Sequence, residues 1–519
     1  MVGLFPKDRS KKQSDENANN TPLSSSMVKN IDNLKPIFDS CDDIIFQQTE
    51  LSSITCCLVY LSDMVSNQAM FEIEQGLASY SESSHSHLAL SSFIQKRFLY
   101  SSVMEVTSIE SVSEQILEGN AVLFIEKTET AFVFRSRESH GRQVNDSITE
   151  GTIRGPKEGF VEDIQKNVML IRRKIKTPSL KIENLTLGEK TNTKISVVYI
   201  KGIANLEIVK EVHQRLSRIN IDGILDSQYI ESMIKDSPRS PVPTIFSTER
   251  PDRVCGGLLD GKVAILIDGT PFALTVPALF VEFLHSSEDY YDGALVATII
   301  RWIRFLGLFI TLILPAFFVA LTTFHQDLLQ NPFIIRIASN HESLPYPVLI
   351  EALFMLLTYE LLREAGLRMP KPFGGPIVTI LGLVIISQAA IQAGIVGPVL
   401  SVVVSVTALT SFILPNYAFH QIIRFSGIPL VILAGLFGFL GIIVGLMFGL
   451  TYLVNLRSFG VPYFSPVSPA RKESWKDVFI RAPWWAMETR IAGISVENTK
   501  RAGDQNFAIP PIKKEDDKK

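Results

Sequence analysis

The chain has 519 residues, 46% of them hydrophobic and 20% charged, with a net charge of −3. That balance, with no basic patch interleaved with aromatics, sets nucleic-acid binding aside, and the length allows two to four domains. The averages hide a split: charges are frequent from Met27 to Arg304, then vanish over 305–324, 372–419 and 425–456, apart from the few residues between.

The N-terminus, MVGLFPKDRSKKQSDENANNTPLSSS, is polar and lacks the apolar stretch of a signal peptide. It reads as a disordered arm over 1–28. From 29 to 293 helical and strand patterns alternate, with a weak internal repeat. CLVYLSDMV (57–65) is similar to ISVVYIKGIA (195–204), and LEGNAVLFIEKTETAFVF (117–134) to LDGKVAILIDGTPFALTV (259–276). Each copy offers a buried strand, helices and then a hairpin, the second turning at Asp268-Gly269. Two similar α/β subdomains are predicted, 29–148 and 149–293, joined through EGTIRGPKEGFVEDIQKNVMLIRRKIK (150–176).

Catalytic signatures are poor in this half. GGLLDGKV (256–263) has the spacing of a phosphate loop, but Val263 replaces the required Ser or Thr and a strand follows where a helix is needed. His85 and His87 lack further ligands and read as solvated. The run Arg172, Arg173, Lys174 reads as a solvated helix face. Cys41, Cys56, Cys57 and Cys255 form no ligand-spaced set and read as buried free thiols. No catalytic residue, cofactor or metal site is expected, and the chain is not read as an enzyme.

The second half reads as an all-α, multi-pass membrane bundle over 294–456, making the whole an α+β protein. A hydrocarbon core about 30 Å thick needs roughly 20 apolar residues as a helix. Spans are predicted near 305–324, 376–395, 398–414 and 428–456. The segment PVLIEALFMLLTYELLREAG (347–366) is a membrane or re-entrant helix, so the count is four or five. Arg301 and Arg304 before the first span, and Arg457, Arg471, Lys472, Lys476 and Arg481 after the last, place both ends in the cytoplasm and favour the even count.

Glu351 and Glu360 are expensive in lipid, which makes them candidates for an aqueous ion path, with Gln388 and Gln392 adding polar groups one turn apart. Arg363 can pair with Glu360 along the same helix. Gly441, Gly445 and Gly449 form one bare helix face suited to close packing. An amphipathic cytoplasmic tail (457–490) and a disordered tail (491–519) complete the reading. A solute transporter and a non-conducting scaffold remain alternatives to a channel.

Four stretches carry a resemblance: TERPDRVCGGLLDGKVAILIDGTPFALTVPALFVEFLHSSEDYY (248–291), RGPKEGFVEDIQKNVMLIRRKIK (154–176), LPYPVLIEALFMLLTYELLREAGLRMPKPFGG (344–375) and LRSFGVPYFSPVSP (456–469). Over roughly 27–490 the chain resembles the A subunit of nutrient germinant receptors, the GerA family of spore-forming bacteria. Gln392 departs from the acidic residue expected there, which weakens the case for a charge at 388–392. The resemblance implies the inner spore membrane, a transporter-like B subunit and a lipoprotein C subunit as partners. It also implies a homo-oligomeric ring that opens a path for cations when a nutrient is sensed.

Overall fold

The computed structural model describes residues 21–502 except 52–53, 80–92, 95–102, 137–145, 148, 329–343, 370–374, 471, 491–493 and 495–497. His85 and His87 lie outside the described residues.

The N-terminal half is an α/β domain with two five-stranded antiparallel sheets. The first contains β1 (Ile44–Leu51), β2 (Ile54–Leu61), β3 (Met104–Val106), β4 (Ala121–Ile125) and β5 (Ala131–Phe134), in the order β1-β2-β4-β5-β3. The second contains β6 (Leu180–Leu187), β7 (Thr193–Ile200), β8 (Phe246–Thr248), β9 (Val263–Ile267) and β10 (Ala273–Val276), in the order β6-β7-β9-β10-β8. The strand order is the same. The repeated sequence stretches fall on β2 and β7 and on the hairpins β4–β5 and β9–β10. Both hairpins turn through a positive φ, at Lys127 (64°) and at Gly269 (86°). Every residue of β4, β5, β9 and β10 is buried, which is why these strands read as unbroken apolar runs.

The sheets share a core. Cys57, Val59 and Phe124 of the first belong to one apolar cluster with Ile182, Val198 and Leu266 of the second, and Val168 and Ile171 from the helix Ile164–Lys174 lie in the same cluster. Arg172 of that helix is buried and donates to both carboxylate oxygens of Asp43, at 2.8 and 2.9 Å. The expectation of a solvated basic run therefore fails at Arg172: the helix lies between two sheets, so one of three consecutive cations faces inward. All four cysteines are free and buried. Folded structure also extends past the expected arm and tail. Leu23 and Met27 join the core, and Ile494 packs into the second sheet.

A short elbow (3-10 turns Phe280–Leu284 and Ser287–Tyr290) leads into the helical region, which among the described residues has six helices. They are Ala294–Thr323, Val348–Arg368, Gly375–Gln392, Pro398–Ser411, Tyr417–Phe437 and Phe439–Asn455, here H1 to H6. Contacts at their ends fix an alternating course. The middle of H1, the turn after H4, the start of H5 and the residue after H6 meet next to the α/β domain through Leu308, Leu414, Phe419 and Leu456. The opposite end gathers the end of H1 against Gly438 through His325, and the start of H2 against Gly435 through Leu349. The segment 347–366 is thus one helix running the length of the bundle.

The span expected near 428–456 is two helices. Gly438, at φ 61°, breaks it, and H6 folds back on H5: a Cβ at Gly441 would lie 2.1 Å from the carbonyl oxygen of Leu433. The first helix begins at Ala294, eleven residues before the expected span, because Arg301 and Arg304 are buried within it. Pro315 lies inside H1 and frees the carbonyl of Thr311, four residues earlier. Gly427 of H5 allows the close approach there, its added Cβ falling 3.8 Å from that oxygen.

Candidate functional site

Polar side chains gather inside the helical region where H2, H4 and H5 meet. Arg424 of H5 donates through one Nη to both oxygens of Glu360 on H2, each at 2.7 Å. Tyr359 Oη lies 3.0 Å from Ser411 Oγ of H4. Arg363 approaches His420 Nδ1 at 3.3 Å and lies over the Tyr417 ring at 5.5 Å. The expected Arg363–Glu360 pair is replaced by an interhelical one, because Arg424 reaches the carboxylate from the facing helix while Arg363 turns to the start of H5. A cavity of about 20 Å³ touches Thr311, Tyr359, Glu360, Thr407 and Arg424. That volume holds about one water.

Glu351 is buried one helix end away, and its Oε2 accepts from the Gly397 N–H at 3.2 Å. Gly397 is the N-cap of H4, where the helix dipole favours a negative charge. Glu351 and Glu360 are nine residues apart, about 13 Å along the helix. They occupy separate environments and are not brought together.

Gln388 and Gln392 lie elsewhere. Both are exposed on the outer face of H3, in line with Leu381 and Ile385. Of the three glycines, Gly441 and Gly445 face H5, the latter against Leu430, whereas Gly449 has open space around it.

A second polar assembly joins the α/β domain, the start of H1 and the C-terminal segment. Asp289 is buried between Arg304 (2.6 Å) and Arg301 (3.2 Å). Arg301 also reaches Asp477 at 3.0 Å, and Tyr290 Oη donates to Asp477 at 3.0 Å. Arg301 and Arg304 are therefore sealed in ion pairs, and do not act as free cations at a membrane surface. His285 Nε2 donates to the Val478 carbonyl at 3.1 Å. Its burial, with Arg301 nearby, holds the ring's pKa well below the usual histidine range. A cavity of about 420 Å³ opens beside this junction, bordered by Phe246, Arg253, His285, Tyr290 and Trp484. Asp260 on its rim is pushed up to about 6 by burial, against the opposing pull of Arg501.

Sequence reasoning missed Arg424, Asp289 and Asp477. Arg424 had a visible signal: it is the lone Arg, Lys, Asp or Glu between 372 and 456. Asp289 is the acid that precedes Arg301 and Arg304 by three to four turns of chain, a spacing that carries no local pattern.

Among the described residues, Ala294–Thr323 and Tyr417–Phe437 are long and apolar enough to cross a membrane, and three shorter apolar helices accompany them. Beside the α/β domain, two helices of that length and composition suggest membrane association. Residues 32–492 match the family described as Bacillus/Clostridium GerA spore germination protein. Spore germination protein KA of Bacillus subtilis is 38% identical over 94% of this chain and 90% of its own length. Spore germination protein A1 of the same organism is 37% identical, covering 85% of this chain and 91% of its own. An uncharacterized membrane protein of that organism, YfkQ, is 38% identical over 94% of both chains. The crystal structure of the N-terminal domain of the A subunit of the Bacillus megaterium spore germinant receptor GerK3 is 31% identical. It covers 50% of this chain and 98% of that one, with a TM-score of 0.41. The chain belongs to the GerA family of spore germination proteins.

Proposed function

We propose that this chain is the A subunit of a nutrient germinant receptor in the inner spore membrane. Its helical region crosses the bilayer several times, and copies of it assemble into a ring that conducts cations when a nutrient is sensed. A transporter-like B subunit and a lipoprotein C subunit complete the receptor. The alternating course of the six described helices supports an even number of crossings, with the α/β domain and the C-terminal segment together on the cytoplasmic side.

The observation that carries the ring is the outward face of H3. Gln388 and Gln392 are exposed there beside Leu381 and Ile385. Amides facing lipid lose their hydrogen bonds, whereas amides facing a second copy or a central water column keep them. In such a ring the path runs between subunits along H3, and Glu351 and Glu360 act from behind it.

The test is cation flux from liposomes holding the purified oligomer, with mass photometry on the same sample. Glu351→Gln lowers cation conductance and leaves assembly intact. Unchanged flux through the assembled variant removes Glu351 from any part in conduction; a monomer under all mild conditions sinks the ring. A non-conducting signalling subunit is the second reading, favoured by the closed Glu360–Arg424 pair, and absent flux from an assembled wild-type oligomer selects it.

A further inference from the structure

The chain has four tryptophans. They fall on H1 and on one short segment of the C-terminal region, at Trp302, Trp475, Trp484 and Trp485. All four are exposed, at 60%, 38%, 52% and 51%. The C-terminal segment lies along the start of H1. Trp302 Nε1 donates to the Phe479 carbonyl at 2.9 Å, and the Phe305 and Phe479 rings are 5.2 Å apart. The Arg481 amide donates to Thr298 Oγ1 at 3.0 Å, one turn nearer the α/β domain. Trp475 meets Phe479 edge-on, and Arg481 lies between the Tyr290 and Trp484 rings. The outer surface of this segment adds exposed Phe479 and Ile480, and Lys476 stands exposed beside Trp475.

The depth of this patch follows from helix geometry. Trp302 precedes the end of H1 at Thr323 by 21 residues. At 1.5 Å per residue that is about 32 Å, one hydrocarbon thickness. Thr298, which anchors Arg481, is one turn further out. If the far end of H1 reaches the far edge of the hydrocarbon, Trp302 and Trp475 stand at its near edge, and Trp484 and Trp485 in the headgroup layer above. Tryptophan favours that zone because its ring is apolar and its N–H seeks a partner. The patch also continues the exposed apolar face of H1, through Ile303, Leu306 and Phe309.

We infer that the segment from Trp475 to Trp485 is an interfacial foot, which rests its aromatic face in the lipid headgroup layer on the side of the α/β domain. The inference rests on the membrane reading above. The foot is tied to the elbow by Asp477 on Arg301, by Val478 on His285 and by Trp484 Nε1 donating to the Tyr290 carbonyl at 3.3 Å. The bilayer surface thereby becomes a third contact of the junction between domain and helices.

Tryptophan emission of the full chain tests this, in phosphatidylcholine–phosphatidylglycerol vesicles whose acyl chains carry bromines near the headgroup or near the chain end. With four tryptophans at the interface, shallow bromines quench well over about a quarter of the wild-type emission and outdo deep ones. Variants retaining one tryptophan, the other three changed to Phe, resolve the depths: Trp302 and Trp475 deeper, Trp484 and Trp485 shallower. Quenching confined to Trp302, about a quarter of the wild-type signal, overturns the foot and leaves the membrane reading standing; a second copy covering the segment gives this same outcome. Absence of quenching at Trp302 as well overturns both. The wild-type measurement needs no substitution, so a misfolded variant cannot mask the answer.

Discussion

Glu360 and Arg424 come from different helices and are joined by two contacts of 2.7 Å, inside a region whose sequence from 372 to 456 holds no other formal charge. A buried pair of this kind is costly to break and cheap to replace, since removing one partner strands the other charge. Arg424→Met alone, or Glu360→Leu alone, lowers the stability of the detergent-purified protein by roughly 3–5 kcal/mol, while Glu360→Leu with Arg424→Met together comes back close to wild type. A thermal-unfolding double-mutant cycle measures the coupling. If the double variant is as damaged as either single one, the pair has a role beyond charge balance.

Arg172 and Asp43 make the same argument in the α/β domain, where the pair crosses between the central helix and the first sheet. Asp43→Ala costs about 3–5 kcal/mol, because Arg172 stays buried without its carboxylate. Chemical denaturation of the full chain, followed by circular dichroism, reports the loss. A change below 1 kcal/mol, the ordinary worth of an exposed pair, contradicts the burial.

The glycines of H6 separate by position. Gly441→Ala places a Cβ against a backbone oxygen that cannot rotate away, and overpacking of this kind costs roughly 1–3 kcal/mol or more. Gly449→Ala meets nothing within 4 Å in one chain and leaves monomer stability unchanged. Expression and thermal stability in detergent, compared side by side, check the contrast. Should Gly449→Ala instead reduce the oligomeric state, that glycine packs against a neighbouring copy.

Two groups at the junction, the buried His285 and the half-buried Asp260, respond oppositely to pH. His285 has its folded pKa depressed below the unfolded value near 6.5. Its stabilising effect is therefore complete above about 6.5 and drains away as pH falls below it, when the unfolded chain takes up a proton that the folded one refuses. Asp260 has its folded pKa raised from 3.8 to about 6. Its contribution is present below the unfolded pKa and lost as pH rises through about 6. His285→Gln thus flattens the acid side of a stability profile between pH 5 and 7, and Asp260→Asn steepens the fall on acidification. Melting temperatures across that range give the two slopes; identical profiles for both variants refute the assignment.

Legibility followed the period of the pattern. β4, β5, β9 and β10 stood out because strands covered on both faces must be apolar throughout, and a repeated run is visible by eye. H1 and H2 were visible as long apolar stretches. The break at Gly438 was not, since glycines at 435, 438, 441 and 445 look alike in sequence and only one adopts a positive φ. Arg172 was hidden by its neighbours Arg173 and Lys174, because a run of like charges does not reveal which member faces inward. Glu360 was legible as a buried acid, but its partner was 64 residues away on another helix, and hydropathy windows drawn on either side of Arg424 passed over it.

The strands Arg457–Ser458 and Val461–Pro462, which follow the last helix, return to the α/β domain. Phe459 and Val461 pack in the core of the second sheet, and Ser458 Oγ accepts from the Ala278 amide at 2.9 Å. The domain's own interior therefore contains residues translated after every helix of the bundle. That part of the core closes only once the chain beyond the last helix has been made, so the C-terminal return is a late cover on the second sheet.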